Sequence, residues 1–505
     1  MMIMKKIFFA ILATAALLSS CGKDFVTVKH NSSEPLDEYF IDEARIYQSL
    51  VAAYDSLQWL DYFDQYVNAL TLTPDIMADD IYCGGSNEGD QPILVKTHYY
   101  TLTPTEQSDR IWTICYSGIN RSCVVLEYID GVPGMAEETK ALYKAEATVL
   151  RAFYYNLLWK FWGNVPYYDV NLEAPYITKQ FKADEVYEKC VGHLEDVFEM
   201  NVLPMKATAG NEGRVTKAMA YMLYAEMVMY QNDTARYGKA LNYMKEIINS
   251  GEYSLVSDYA SIWLESGEWN SESVWEINYT SEGAPRSWGS PLVSGGTVYP
   301  MLIGVPGATE ASGFSDGWGF GPVAKSAYDM YGDGDQRRDG GILCYNDLFD
   351  PIPAEKTRWQ HTGYYLLKYI ARRSGNHGQI ADGDMNHCNN IRVYRYAETL
   401  LNAAELAVLT GGDGSAYLAE GRQRAGCTDS GTDRLAIIEE RHKEFVGEGK
   451  RYWDLVRTGL AEQTLKAANH EWRKIDWSVG KKYWPLPQSE CDKDPNLVQN
   501  TAYSY

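Results

Sequence analysis

Apolar residues recur at three- and four-residue steps along most of this chain, and the rhythm fails in one broad stretch. The spacing predicts helices at Asp42–Trp59, Glu106–Ile129 and Glu137–Phe161. In the third, Leu142, Val149, Leu150, Phe153, Leu157 and Phe161 make one apolar stripe. Gly163-Asn164-Val165-Pro166 then stops it. Helices are also predicted at Ala183–Met200, Thr216–Gln231 and Ala235–Asn249. Between about 252 and 390 Gly, Ser, Pro and Trp take over, leaving short strand-like pieces at Ser273–Tyr279 and Tyr364–Ile370. Helical spacing returns at Ile391–Leu409, closed by Gly411-Gly412, and at Asp433–Val446 and Arg451–Arg457.

Alanines at close-packing positions (Ala145, Ala147, Ala152, Ala218, Ala220 and Ala225) suit antiparallel helix pairs of tetratricopeptide type, although no repeat period is clean. The expected fold class is therefore mainly all-α. A tetratricopeptide-like helix-pair scaffold (39–251) carries a loop-rich region with short strands (252–390), followed by C-terminal helices and a tail (391–505). A long irregular region on a helical scaffold is where function is expected.

The first residues follow another pattern. Lys5 and Lys6 precede an apolar run, Ile7 to Leu18, interrupted by Thr14. It is shorter than the about 20 residues a membrane-spanning helix needs, and fits a signal peptide. Leu18-Ser19-Ser20-Cys21 resembles a bacterial lipobox, in which small residues admit the peptidase and the cysteine thiol takes the lipid. The reading is a leader at 1–20, lipidation at Cys21, and a polar tether to residue 38.

Composition then narrows the function. With 45% hydrophobic residues a large core is within reach. The net charge is −22 before two lysines leave with the leader, so a phosphate backbone is repelled and no nucleic-acid partner is expected. The chain has 39 Tyr and 14 Trp against 13 Phe, a bias toward rings that stack while keeping a polar handle. Eight cysteines follow Cys21 without C-x-x-C or zinc-type spacing, and most read as small buried hydrophobes.

Several blocks resemble the SusD/RagB family, outer-membrane lipoproteins of Bacteroidetes. Leu50-Val51-Ala52-Ala53-Tyr54, Leu150–Tyr168, Gly213-Arg214-Val215-Thr216, Tyr328–Gly340 and Tyr394–Gly412 are similar to family segments in order. Ile437–Gly459 (IIEERHKEFVGEGKRYWDLVRTG) is similar to the family's most specific block, and Pro485-Leu486-Pro487 through Tyr503 to its tail. Val446-Gly447 and Thr501-Ala502 depart from the family pattern. In the C-terminal block Arg441, Glu444, Glu448, Arg451, Asp454 and Arg457 alternate in sign among aromatic residues. Embedded charges need partners, so these read as structural.

No catalytic constellation emerges. Asp79-Asp80 and Glu137-Glu138 are adjacent, which points their side chains apart, and there is no H-E-x-x-H or G-x-S-x-G. Asp382-x-Asp384-x-Asn386 starts like a calcium loop, but His387 replaces the required glycine and Val393 the last ligand. Asp333-x-Asp335 lacks a third ligand. No metal or cofactor is expected. Two aromatic-rich loops, Asp79–Tyr100 and Trp269–Phe320, suit sugar binding, with Asp80, Tyr82, Asn87, His98, Trp269, Trp288, Tyr299 and Trp318 as candidates, best Trp288 and Trp318. The resemblance implies that ligand sites are built from these two regions. It further implies a non-enzymatic receptor at the cell outer membrane, lipid-anchored and facing the exterior. Such a receptor captures an oligosaccharide and passes it to a SusC-like TonB-dependent transporter. The alternatives are an oligopeptide-binding lid of the same transporter type, a glycan-cleaving surface enzyme, and a structural gate.

Overall fold

The computed structural model describes residues 39–61, 69–281, 286–289, 292–293, 295–349, 356–373 and 383–503. The leader, Cys21 and the tether lie outside these, as does Asp382 of the calcium-like segment. The longer helices are α1 (Glu43–Gln58), α2 (Asp109–Tyr128), α3 (Glu137–Trp162), α4 (Ala183–Met200), α5 (Lys217–Gln231), α6 (Tyr237–Ser250), α7 (Tyr396–Leu409), α8 (Ser415–Ala425), α9 (Arg434–Phe445) and α10 (Arg451–Thr458). Polar caps set where several begin. The carboxylate of Asp42 accepts from Arg45 N at 3.0 Å, and the Thr216 hydroxyl accepts from Met219 N at 3.1 Å.

Each helix packs on its successor from α1 to α7, and α7 also receives α8 and α9. This is the mainly α-helical array of paired helices that the spacing predicts. Helix α3 differs in detail. Its stripe widens until every residue from Val149 to Trp162 is buried, as happens when neighbours cover a helix on all sides. Arg151 and Lys160 are tolerated there because each is paired: Arg151 donates to Asp169 O at 2.8 Å, and Lys160 meets Glu226 and sits 4.8 Å from the Trp453 ring centre.

Two predicted elements change, and one helix went unpredicted. Ile391–Arg395 is a strand pairing antiparallel with Ser273–Ile277, and α7 starts only at Tyr396. A short, fully buried run cannot be told from a helix by periodicity until a partner strand claims it. Tyr364–Ile370 contracts to Tyr364–Leu366, paired with Ile342–Cys344. Helix α8 had no readable stripe, because its buried face includes Arg422 and Arg424.

Those arginines belong to a buried ionic seam. Arg395 lies 3.0 Å from Glu444 and 2.7 Å from Glu448, and also meets Glu272. Arg424 joins Glu272 at 3.0 Å and Glu444 at 2.7 Å. Arg457 bonds Glu405 at 2.6 Å and Asp454 at 2.7 Å, while Arg441 holds Asp454 at 2.8 Å. Burial opposes ionisation of Glu444, yet Arg424, Arg395 and Arg337 outweigh it and hold the carboxyl down at about 2. The alternating charges of the C-terminal block are thus all paired inside the protein, Asp454 with Arg441 and Arg457 of the block itself and the others with Arg395, Arg424, Glu405 and Asp79 outside it.

No described helix is long and apolar enough to cross a membrane. Every described cysteine is free, four of them buried.

Candidate functional site

Three loop segments are sewn together at one end of the irregular region. Tyr82 N donates to Pro322 O at 2.9 Å, Gly321 N to Cys83 O at 3.0 Å, Gly85 N to Gly319 O at 3.1 Å and Trp359 N to Gly85 O at 3.0 Å. The Gln360 side chain accepts from Gly84 N at 2.9 Å. Glycine is required at two of these positions. A Cβ on Gly84 would lie 2.4 Å from Gly319 O, one on Gly85 would lie 2.6 Å from the Phe320 ring, and both have positive φ. The tight approach holds the Ser86–Asp90 turn over the 318–320 segment. Within the turn, Asp90 Oδ2 accepts from the Ser86 N–H and hydroxyl, both at 2.8 Å, and Asn87 Oδ1 accepts from Gly89 N at 2.8 Å.

Between these segments opens a cleft of about 310 Å³, lined by Ser86, Asp90, Gln91, Trp318, Phe320 and Arg358. Trp288 stacks on Trp318 with centroids 6.0 Å apart and planes at 24°. Trp288 is 40% exposed. Indole faces beside a carboxylate, an amide and a guanidinium suit a ligand with both C–H faces and hydroxyls.

A second cavity of about 250 Å³ lies beside α1, with Tyr47, Val51, Tyr54, Arg214 and Asn278 among its lining. Three of its polar side chains are already engaged. Tyr54 donates to Glu146 at 2.5 Å, Arg214 Nε donates to Glu146 at 3.2 Å, and Asn278 donates to Glu212 O at 3.0 Å.

The candidate residues divide. Trp288 and Trp318 come together, and Asn87 sits on the exposed turn at the cleft's rim. Trp269 is half-buried and donates from Nε1 to Asn278 Oδ1 at 2.9 Å, outside the cleft lining. Tyr82 is buried, edge-on to Trp472 at 5.0 Å. Asp80, His98 and Tyr299 depart from the reading as loop-displayed groups, for all three are fully buried. The physical reason is local. Short helices at Leu72–Met77, Pro92–His98 and Tyr299–Ile303 fold these stretches onto the core. His98 Nδ1 bonds Ile76 O at 2.8 Å, and burial pushes its pKa down to about 3, so the ring is neutral. Burial and the neighbouring Asp79 push Asp80 up to about 7, while Asp79 itself is forked by Arg451 at 2.8 and 2.9 Å. Gln91 and Arg358 were missed. The only signal for Arg358 was its place in Arg358-Trp359-Gln360, a polar-aromatic triplet within the irregular region.

Sequence comparison settles the kinship. The model of the SusD family matches residues 271–503, and one described as "Starch-binding associating with outer membrane" matches residues 30–228. Surface glycan-binding protein A of Bacteroides thetaiotaomicron, solved in complex with laminarihexaose, is 45% identical, with 91% of this chain and 99% of that chain aligned at a TM-score of 0.86. The chain belongs to the SusD/RagB family. A counterpart from Bacteroides fluxus is 37% identical over 92% of this chain and all of that one, with a TM-score of 0.85. The starch-binding protein SusD of Bacteroides thetaiotaomicron is 24% identical over 74% of this chain and 75% of its own length. The most similar of these relatives are glycan-binding proteins, and the family associates with the outer membrane.

Proposed function

We propose that this protein is a non-enzymatic glycan receptor, held to the outer face of the outer membrane by lipid on Cys21. It captures an oligosaccharide in the Trp288–Trp318 cleft and passes it to a TonB-dependent transporter. The observation that carries the reading is the stacked indole pair beside a cleft lined by Asp90, Gln91 and Arg358. The kinship with a laminarihexaose-binding protein makes that hexasaccharide the first ligand to try. Flat rings cover the C–H face of a sugar ring, and the polar groups take its hydroxyls.

The test is calorimetric titration of the mature protein with laminarihexaose, other hexaoses and oligopeptides, with chromatography of each ligand afterwards. Glycan binding without cleavage is the expected outcome. Release of shorter sugars contradicts the receptor reading, and binding of peptides alone assigns the cleft to oligopeptides. In cells, Cys21→Ala is expected to move the protein out of the membrane fraction, and co-purification is expected to retrieve a TonB-dependent barrel.

A further inference from the structure

Two side chains at the cleft lack what buried polar groups almost always have. Gln91 is only 8% exposed, lines the cleft, and its Oε1 meets no hydrogen-bond donor. Arg358 lines the same cleft, and its buried Nε meets no acceptor. Burying an amide or a guanidinium without a partner is unfavourable, so such groups in a native fold call for an explanation. Around the α1 cavity the corresponding groups, Arg214 and Asn278, are bonded within the protein.

Both residues are held in place through their backbones. Gln91 is the N-cap of helix Pro92–His98, and its carbonyl accepts from Val95 N at 3.0 Å. Arg358 precedes Trp359 and Gln360, which bond Gly85 and Gly84 on the facing segment. Their side chains therefore stand beside Trp318 without being needed to hold the loops together. A carboxamide carries a donor and an acceptor, so either orientation of the amide offers one of them to a ligand. A guanidinium supplies donors in a fixed fork. Asp90 lines the same cleft, so its walls carry one negative and one positive side chain. That balance suits an uncharged ligand and disfavours a carboxylated or sulfated one.

We propose that Gln91 and Arg358 are the specificity-determining residues of the cleft, reading neighbouring hydroxyls of a neutral sugar residue seated against Trp318. The proposal rests on the glycan-receptor reading and goes beyond it, since stacking alone tolerates many sugars.

The test compares wild type, Gln91→Met, Arg358→Met and Trp318→Ala by calorimetry with laminarihexaose, mannohexaose and a hexameric uronate. Neither Gln91→Met nor Arg358→Met breaks a bond within the protein, so thermal midpoints are expected to hold. Arg358→Lys, which keeps the charge but not the fork, gives a second variant. Each methionine variant is expected to lose about tenfold in laminarihexaose affinity and to narrow the preference for laminarihexaose over mannohexaose. Arg358→Lys is expected to recover only part of both. Loss of affinity in Trp318→Ala with full affinity and unchanged preference in the methionine variants overturns the proposal and leaves the receptor reading standing. Tighter binding of the uronate overturns the neutral assignment. Absence of any glycan binding by wild type overturns both.

Discussion

The C-terminal seam and the Trp288–Trp318 cleft use the same kinds of polar residue to opposite ends. In the seam, Arg395, Arg424, Arg441 and Arg457 are buried and each finds two or more carboxylates. In the cleft, Gln91 and Arg358 line a space beside aromatic rings, and among the described residues neither side chain makes a hydrogen bond or ion pair within the protein. Paired buried charges lock helices α7 to α10 together, and removing one partner strands the others. Unpaired polar groups beside an indole face are free to take a ligand. The segment most diagnostic of the family is thus the part least available for recognition.

Breaking the seam should give the largest effect. Arg395→Met leaves Glu272, Glu444 and Glu448 buried without their shared cation. The expected cost is about 3–5 kcal/mol of folding stability by urea denaturation, with glycan affinity of the folded fraction unchanged. A loss of affinity in the folded fraction would show that seam and cleft are not separate.

A smaller effect is expected at Asp80, between seam and loops. Its folded pKa of about 7 lies above the ordinary 3.8, so the fold favours the protonated form. The contribution is fully present below about pH 4 and is lost as pH rises through 7. Asp80→Asn removes that loss. It should be more stable than wild type at pH 8 by roughly 2–4 kcal/mol, the difference vanishing near pH 4. A pH-independent difference would place the effect in packing instead of ionisation.

The smallest stability effect belongs to the cleft. Trp288→Ala and Trp318→Ala are each expected to weaken glycan binding by about 1–3 kcal/mol. Trp288 is 40% exposed, so its truncation should cost about 1 kcal/mol of stability or less. Unchanged affinity in both variants would move the site elsewhere.

Much of this division was legible in the chain. Helical spacing located α1 to α6, and the sign alternation from Arg441 to Arg457 announced internal pairing. The loop aromatics Trp288 and Trp318 stood out because Gly-rich flanks display rings that a core would hide. Burial was less legible. Asp80 and His98 read as loop residues, yet Asp80 follows the short helix Leu72–Met77 and His98 ends the short helix Pro92–His98, and both turn inward. Tyr299 carries the amphipathic ring that marks a binding surface, but its helix Tyr299–Ile303 packs it fully inside. Gln91 and Arg358 lie 267 positions apart and meet only because Gly84 and Gly85 let the facing segments touch. Spacing along a chain carries no record of such a meeting.

The most direct test titrates laminarihexaose into the mature protein and into Trp318→Ala, then examines the sugar. The expected result is saturable binding by wild type, a clear loss in the variant, and an intact hexasaccharide. Equal binding by both proteins, or shortened sugar after incubation, would contradict the account.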